Sequence, residues 1–170
     1  LGFQYCTVIQ EKCLPYALAG KDLAAKAQTG TGKTAAFLAS AMTRLIKDPL
    51  PPESRRPGSC RVLVLSPTRE LAIQIHNDAL ALGKYTSLNN LVIFGGMDHQ
   101  GQRDSLADPI DILVGTPGRI IDYSRSGHLD LSSTEILVID EADRMLDMGF
   151  IPDVRRIVSK LPPAGKRQTM

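Results

Sequence analysis

The chain has 170 residues, 43% of them hydrophobic, enough for one sizeable core and too few for a second full domain. Its 20 Lys and Arg against 18 Asp and Glu leave a formal charge of +2, which excludes a uniformly basic surface and confines any nucleic-acid contact to a local stripe. Cys6, Cys13 and Cys60 match neither a metal site nor a secreted disulfide framework, no apolar run reaches the roughly 18 residues of a membrane span, and no leader opens the chain. A soluble cytoplasmic protein with no membrane partner is expected.

Thr7-Val8-Ile9-Gln10 has the spacing of a capping box and opens the first helix. A short strand is expected over 22–27, followed by a glycine-rich loop and a helix carrying Phe37, Leu38, Ala41, Met42 and Leu45 at 3-and-4 spacing. Residues 48–59, with prolines at 49, 51, 52 and 57, read as an exposed, mobile excursion. Further strands follow at 61–66, 91–94, 112–115 and 136–140, with a helix between the first two on Leu71, Ile75, Ala79 and Leu82. The strands are nearly apolar throughout, as strands buried on both faces are. Alternation of this kind argues for an α/β fold, a mainly parallel sheet covered by helices on both faces, with ligands beyond the carboxyl ends of the strands. The chain begins without Met and closes on Lys166–Met170, which reads as a strand just starting, so a fragment is expected.

The loop Ala27-Gln28-Thr29-Gly30-Thr31-Gly32-Lys33-Thr34 sits between a strand and an amphipathic helix, the setting in which a phosphate-binding loop works. Its backbone N–H groups would wrap an anion, Lys33 would reach the β- and γ-phosphates, and the Thr34 hydroxyl would face Mg²⁺. The general pattern begins with Gly where this chain has Ala27, which excludes a comfortable left-handed conformation there. The competing reading is a glycine-rich turn before an ordinary helix. The apolar strand Ile136-Leu137-Val138-Ile139 delivers Asp140 and Glu141 at its carboxyl end. Asp140 would hold Mg²⁺, largely through water, and Glu141 would position and deprotonate an attacking water. Alone, the pair could be an acidic helix start. With Lys33 and Thr34 it becomes a site, because two strand ends of one sheet converge on one metal-phosphate group.

Two segments, Pro67-Thr68-Arg69 and Thr116-Pro117-Gly118-Arg119, put arginine in the first turn of a predicted helix. The positive end of the helix dipole disfavours Arg69 and Arg119 there unless an anion lies nearby. A nucleic-acid phosphate is one such anion; an internal salt bridge, for example to Glu70 or Asp122, is the other. His76, His99 and His128 are scattered, without the spacing of paired metal ligands.

Asp140-Glu141-Ala142-Asp143 spells the sequence that names the DEAD-box helicases, and the chain resembles that family from residue 2 to residue 170. Gly2-Phe3 and Cys6–Gln10 resemble its Q motif, Pro67–Ala72 its motif Ia, Gly95-Gly96 its GG element and Thr116–Arg119 its motif Ib. The resemblance implies an N-terminal RecA-like ATP-binding domain spanning 1–170, whose partner would be a second RecA-like domain of the same polypeptide. It implies an ATP hydrolase that couples ATP binding and hydrolysis to local RNA duplex unwinding, with ATP or ADP as ligand and Mg²⁺ as cofactor. Phe3 would stack on the adenine, Gln10 would read its edge, and Thr7 would tie that segment to the phosphate loop. Prolines usual beside the motif threonine are replaced by Cys6 and Val8, and the capping box is the competing role for Gln10. RNA would lie on Pro67, Thr68, Arg69, Gly95, Gly96, Thr116, Pro117, Gly118 and Arg119. Asp143 would couple to a Ser-Ala-Thr motif beyond residue 170, or serve as a solvated helix charge. Arginine fingers of the second domain would make the isolated chain nearly inactive. Residues 1–7, 121–123, 144–147 and 149–151 look most like bacterial helicases of the RNA-degradosome type, which would add a ribonuclease complex as partner. The alternatives left open are a stand-alone nucleotide switch and a DNA-directed relative.

Overall fold

The structure is a computed structural model that describes residues 4–96 and 99–170. Five strands form one parallel sheet: β1 (Cys60–Leu65), β2 (Asn90–Ile93), β3 (Ile110–Gly115), β4 (Ile136–Ile139) and β5 (Gln168–Thr169), in the order β2-β3-β1-β4-β5. The helices are α1 (Val8–Leu18), α2 (Lys33–Lys47), α3 (Arg69–Leu82), α4 (His99–Ser105), α5 (Pro117–Arg125), α6 (Ala142–Asp147) and α7 (Ile151–Val158).

Alternation along each strand divides the core into two. Val62 and Val64 of β1, Ile112 and Val114 of β3, and Ile136 and Val138 of β4 face Phe37, Leu38, Met42 and Leu45 of α2 and Ala72, Ile75 and Ala79 of α3. Leu63, Leu65, Leu113 and Leu137 turn the other way, onto Ile120 and Ile121 of α5, Met145 of α6 and Val154 and Ile157 of α7. β1 and β3 are sealed on both faces, which is why their sequences are nearly apolar. Of the two charged exceptions, Arg61 and Asp111, Arg61 is 3% exposed and its guanidinium is paired with Glu135. This satisfies the rule that buried charge comes with a partner.

Two expectations need correction. Residues 22–27 do not form a strand. Leu23 N–H donates to the Thr169 carbonyl at 2.9 Å and Asp22 Oδ1 accepts from Thr169 N–H at 2.7 Å. Residues 24–27 carry no ladder among the described residues, and only Leu23 and Ala27 of the segment are even half-buried. The proline-rich loop is exposed but anchored. After a single 3₁₀ turn (Pro52–Ser54), Arg55 Nη1 meets Asp111 Oδ1 at 2.7 Å and Nη2 donates to the Ile110 carbonyl. Asp111 also accepts the Asn89 N–H at 2.8 Å, so this arginine ties the excursion to the start of β3.

Candidate nucleotide and nucleic-acid site

The segments at 67–72, 95–96, 116–119 and 140–143 follow the carboxyl ends of β1, β2, β3 and β4 in turn. On the β4-β5 side, α1 opens with a reciprocal capping box: Thr7 Oγ1 accepts the Gln10 N–H at 3.4 Å and Gln10 Oε1 accepts the Thr7 N–H at 3.0 Å. The same side chains reach the glycine-rich loop. The Thr7 hydroxyl donates to the Thr31 carbonyl at 2.7 Å, and Gln10 Nε2 donates to the Gly32 carbonyl at 3.1 Å. Capping and connection to the loop are therefore one device. Phe3 lies outside the described residues.

The loop takes its shape from Gly30 (φ 82°) and Gly32 (φ 89°), both left-handed. A Cβ at Gly32 would lie 2.5 Å from Gln10 Nε2, so conformation and close approach both require glycine. Ala27 keeps a negative φ. Gly32 caps α2 without a side-chain bond, and no acidic residue occupies the first turn, so the N–H groups and the positive end of the dipole stay open to an anion. Lys33 Nζ donates to the carbonyls of Ala27 and Gln28, and Thr31 Oγ1 donates to the Gln28 carbonyl at 2.7 Å.

Asp140 and Glu141 leave β4 beside this loop, and a cavity of 780 Å³ is lined by Lys33, Asp140, Glu141, Asp143, residues 23–29 and, from α1, Ile9 and Cys13. A second cavity of 270 Å³ places Thr34, Gly30 and Gly32 with the same two carboxylates and with Gln74 and Asp78 of α3. Burial pushes the Asp140 carboxyl above its usual range; the Glu141 N–H opposes this, the Glu141 charge adds to it and Lys33 draws it down. A carboxylate whose charge is this costly gains most from a nearby cation. Glu141 is the positive-φ non-glycine among the described residues (φ 51°, ψ 49°), a conformation costing about 1–2 kcal/mol. Its carboxylate is held by Arg144 Nη1 at 3.1 Å. The glycine-rich loop, the open helix start and the paired carboxylates would fit a nucleoside triphosphate with Mg²⁺. Asp143 is exposed in the first turn of α6, its Oδ1 accepting the Arg144 N–H at 3.0 Å.

On the β2-β3-β1 side, three adjacent strand ends carry the remaining segments. Thr68 caps α3, its hydroxyl oxygen accepting the Leu71 N–H at 3.3 Å, and Pro67 precedes it. Arg69 is exposed and pairs with Glu70 through Nε–Oε1 at 2.7 Å, the internal partner weighed from the sequence. Gly95 and Gly96 follow β2; Gly96 is left-handed (φ 86°), and a Cβ on it would stand 3.8 Å from Arg69 Nη1. These two segments therefore meet. Thr116 caps α5 without a side-chain bond, followed by Pro117 and Gly118. Arg119 is 5% exposed, with its guanidinium 5.4 Å from the Tyr123 ring and Nη1 3.4 Å from the Tyr123 hydroxyl.

Three contributors were not singled out from the sequence. Gln102 clasps the exit of β2, its Oε1 accepting the Phe94 N–H at 3.1 Å and its Nε2 donating to the Phe94 carbonyl at 3.2 Å. Gln74 and Asp78 share one α3 face with Leu71 and Leu82 in the smaller cavity. Their 3-and-4 spacing was legible, but polar residues at such spacing read as a solvated face.

A DEAD/DEAH box helicase family model matches residues 7–170. An ATP-dependent RNA helicase RhlB of Pseudomonas aeruginosa is 53% identical over 100% of this chain and 43% of its own length. That of Pectobacterium carotovorum is 48% identical over 99% of this chain and 39% of its own. Among solved structures, a hypothetical ATP-dependent RNA helicase from Sulfolobus tokodaii superposes with TM-score 0.84 at 35% identity, covering 99% of this chain and 45% of that one. A yeast DEAD-box splicing factor superposes with TM-score 0.92 at 34% identity, covering 99% and 40%. The chain thus spans about two-fifths of the length of the relatives it matches, and over that length, from the glycine-rich loop to the Asp-Glu-Ala-Asp box, it belongs to the DEAD/DEAH box helicase family.

Proposed function

We propose that residues 1–170 are the N-terminal, ATP-binding RecA-like half of an RNA helicase core that couples ATP hydrolysis to local opening of an RNA duplex. The observation that carries this reading is the shared carboxyl edge: Lys33, Asp140 and Glu141 on one side, Arg69 and Gly96 on the other, with β1 and β4 paired between them. ATP with Mg²⁺ supplies the transferable phosphoryl group and the metal that neutralises its charge. Lys33 exchanges the Ala27 and Gln28 carbonyls for phosphate oxygens, and the α2 N–H groups complete the cradle. Thr34 and Asp140 hold the metal, mainly through water, and Glu141 orients the attacking water and takes its proton. Gln10, whose amide retains a further N–H beyond its bond to Gly32, reads the adenine edge, with Phe3 on the base. Pro67, Thr68, Arg69, Gly95, Gly96 and the turn at Thr116, Pro117 and Gly118 carry the RNA backbone, contacts that position without reading sequence.

Asp143 joins the nucleotide site to the second RecA-like domain, whose arginines complete catalysis. Arginine fingers contribute roughly 10³–10⁵ in rate, so residues 1–170 alone hydrolyse ATP very slowly. RhlB-named relatives support an RNA substrate and a bacterial setting; a cytoplasmic location and a ribonuclease complex as partner are further proposals that rest on the resemblance of residues 1–7, 121–123, 144–147 and 149–151. No helix of the described residues is long and apolar enough to cross a membrane. The test is ATP turnover and strand separation on a short RNA duplex by the full-length protein. RNA-stimulated turnover that residues 1–170 alone do not reproduce is expected; equal turnover by both, or none with RNA, overturns the proposal.

A further inference from the structure

Helix α1 opens on the residues that touch the glycine-rich loop, yet little of it is buried. Ala17 is its one buried residue, and Pro15, inside the helix, has no N–H to return to the turn before it. The stripe Ile9, Cys13 and Ala17 lines the 780 Å³ cavity. Besides lying against α2, the helix is tied to the rest of the molecule by hydrogen bonds at its two ends. At the first, Thr7 and Gln10 donate to the Thr31 and Gly32 carbonyls. At the second, Gln168 Nε2 donates to the Ala17 carbonyl at 3.0 Å and to the Lys21 carbonyl at 2.8 Å. Gln168 is 2% exposed, and its amide serves backbone carbonyls at and beyond the end of α1, where the last turn has no basic residue to meet them.

Gln168 belongs to β5, and through it α1 is joined to the strand that delivers the carboxylates. Its N–H donates to the Glu135 carbonyl at 2.9 Å, and it stands opposite Ile136 of β4. Asp22 Oδ1, accepting the Thr169 N–H at 2.7 Å, closes the same joint from the chain that leaves α1. The glycine-rich loop, α1, β5 and β4 thus form one hydrogen-bonded path around the cavity. We infer that Gln168 is a positioning residue for base recognition: by fixing the far end of α1 it holds Gln10 where its remaining amide N–H meets adenine. The inference rests on the reading of Gln10 as the adenine contact. Ala17 lies about 10 Å along the helix from Gln10, so a tilt of about 6° at that end displaces Gln10 by about 1 Å, enough to lose a hydrogen bond to the base.

The test measures calorimetric binding of ADP and GDP, each with Mg²⁺, to the full-length protein. The variants are Gln168→Met, Asp22→Ala, Asp22→Asn, Gln10→Ala and the Gln168→Met/Gln10→Ala double variant. Gln168→Met keeps the length of the side chain and removes its donors. The preference for ADP over GDP is expected to fall about two- to tenfold, the range of one hydrogen bond, through weaker ADP binding with GDP binding in place. Asp22→Ala moves the preference the same way from an exposed position, so the prediction stands on it if Gln168→Met does not fold. Asp22→Asn, which keeps the acceptor for Thr169, binds as wild type. In the Gln10→Ala background, Gln168→Met has no further effect. A purely structural role would weaken both nucleotides together. An unchanged preference, an equal loss for ADP and GDP, or a loss that persists in the Gln10→Ala background overturns the inference while the reading of Gln10 stands. A wild type without preference for ADP, or a Gln10→Ala variant that keeps it, overturns the reading and the inference with it.

Discussion

Arg69 and Arg119 sit in similarly spelled turns at the ends of neighbouring strands, yet one is a surface cation and the other is packed inside. Arg69 is the first residue of α3, where its side chain leaves the sheet edge and pairs with Glu70. Arg119 is the third residue of α5, two positions further round. At 3.6 residues per turn those two positions rotate a side chain by about 200°, enough to carry it from the open edge toward the helix's buried face. There it meets Tyr123, one turn on. The pair teaches that a basic residue at a helix start is informative only with its angular position.

Arg119→Ala is the largest way to break the comparison. It removes a buried side chain and its contact with the Tyr123 hydroxyl, and a loss of roughly 2–4 kcal/mol is expected from such a truncation. For a chain of this size that lowers Tm by roughly 5–15 °C, measured by thermal unfolding. A shift below about 1 °C would mean that Arg119 is not structural.

Arg69→Ala is the smaller and sharper change. Surface truncations fall within about 0.5 kcal/mol, so Tm stays put. Affinity for single-stranded RNA in the full-length protein should instead drop, and the slope of log K against log salt should become shallower by about 0.7, one phosphate contact. An unchanged slope would assign Arg69 to Glu70 alone.

Much of the fold was legible because β1, β3 and β4 are buried on both faces and written in Val, Ile and Leu. Residues 22–27 misled for the opposite reason. Leu23, Ala24, Ala25 and Ala27 have strand-like apolarity, but among the described residues the backbone ladder of this segment is the one bond from Leu23 N–H to the Thr169 carbonyl. The turn of the glycine-rich loop was legible because glycine at left-handed positions cannot be replaced cheaply. Gln102, by contrast, works through both ends of an amide on one backbone residue, a role that depends on where α4 packs and leaves no spacing to read. Arg55 and its hold on Asp111, 56 residues later, were hidden in the same way.

The most direct test of the nucleotide site is calorimetric binding of ADP and GDP, each with Mg²⁺, to residues 1–170 and to its Lys33→Ala and Gln10→Ala variants. Tighter binding of ADP than of GDP is predicted, with binding abolished by Lys33→Ala and the preference for adenine reduced by Gln10→Ala. Equal binding of both nucleotides, or affinity that survives loss of Lys33, would contradict the account.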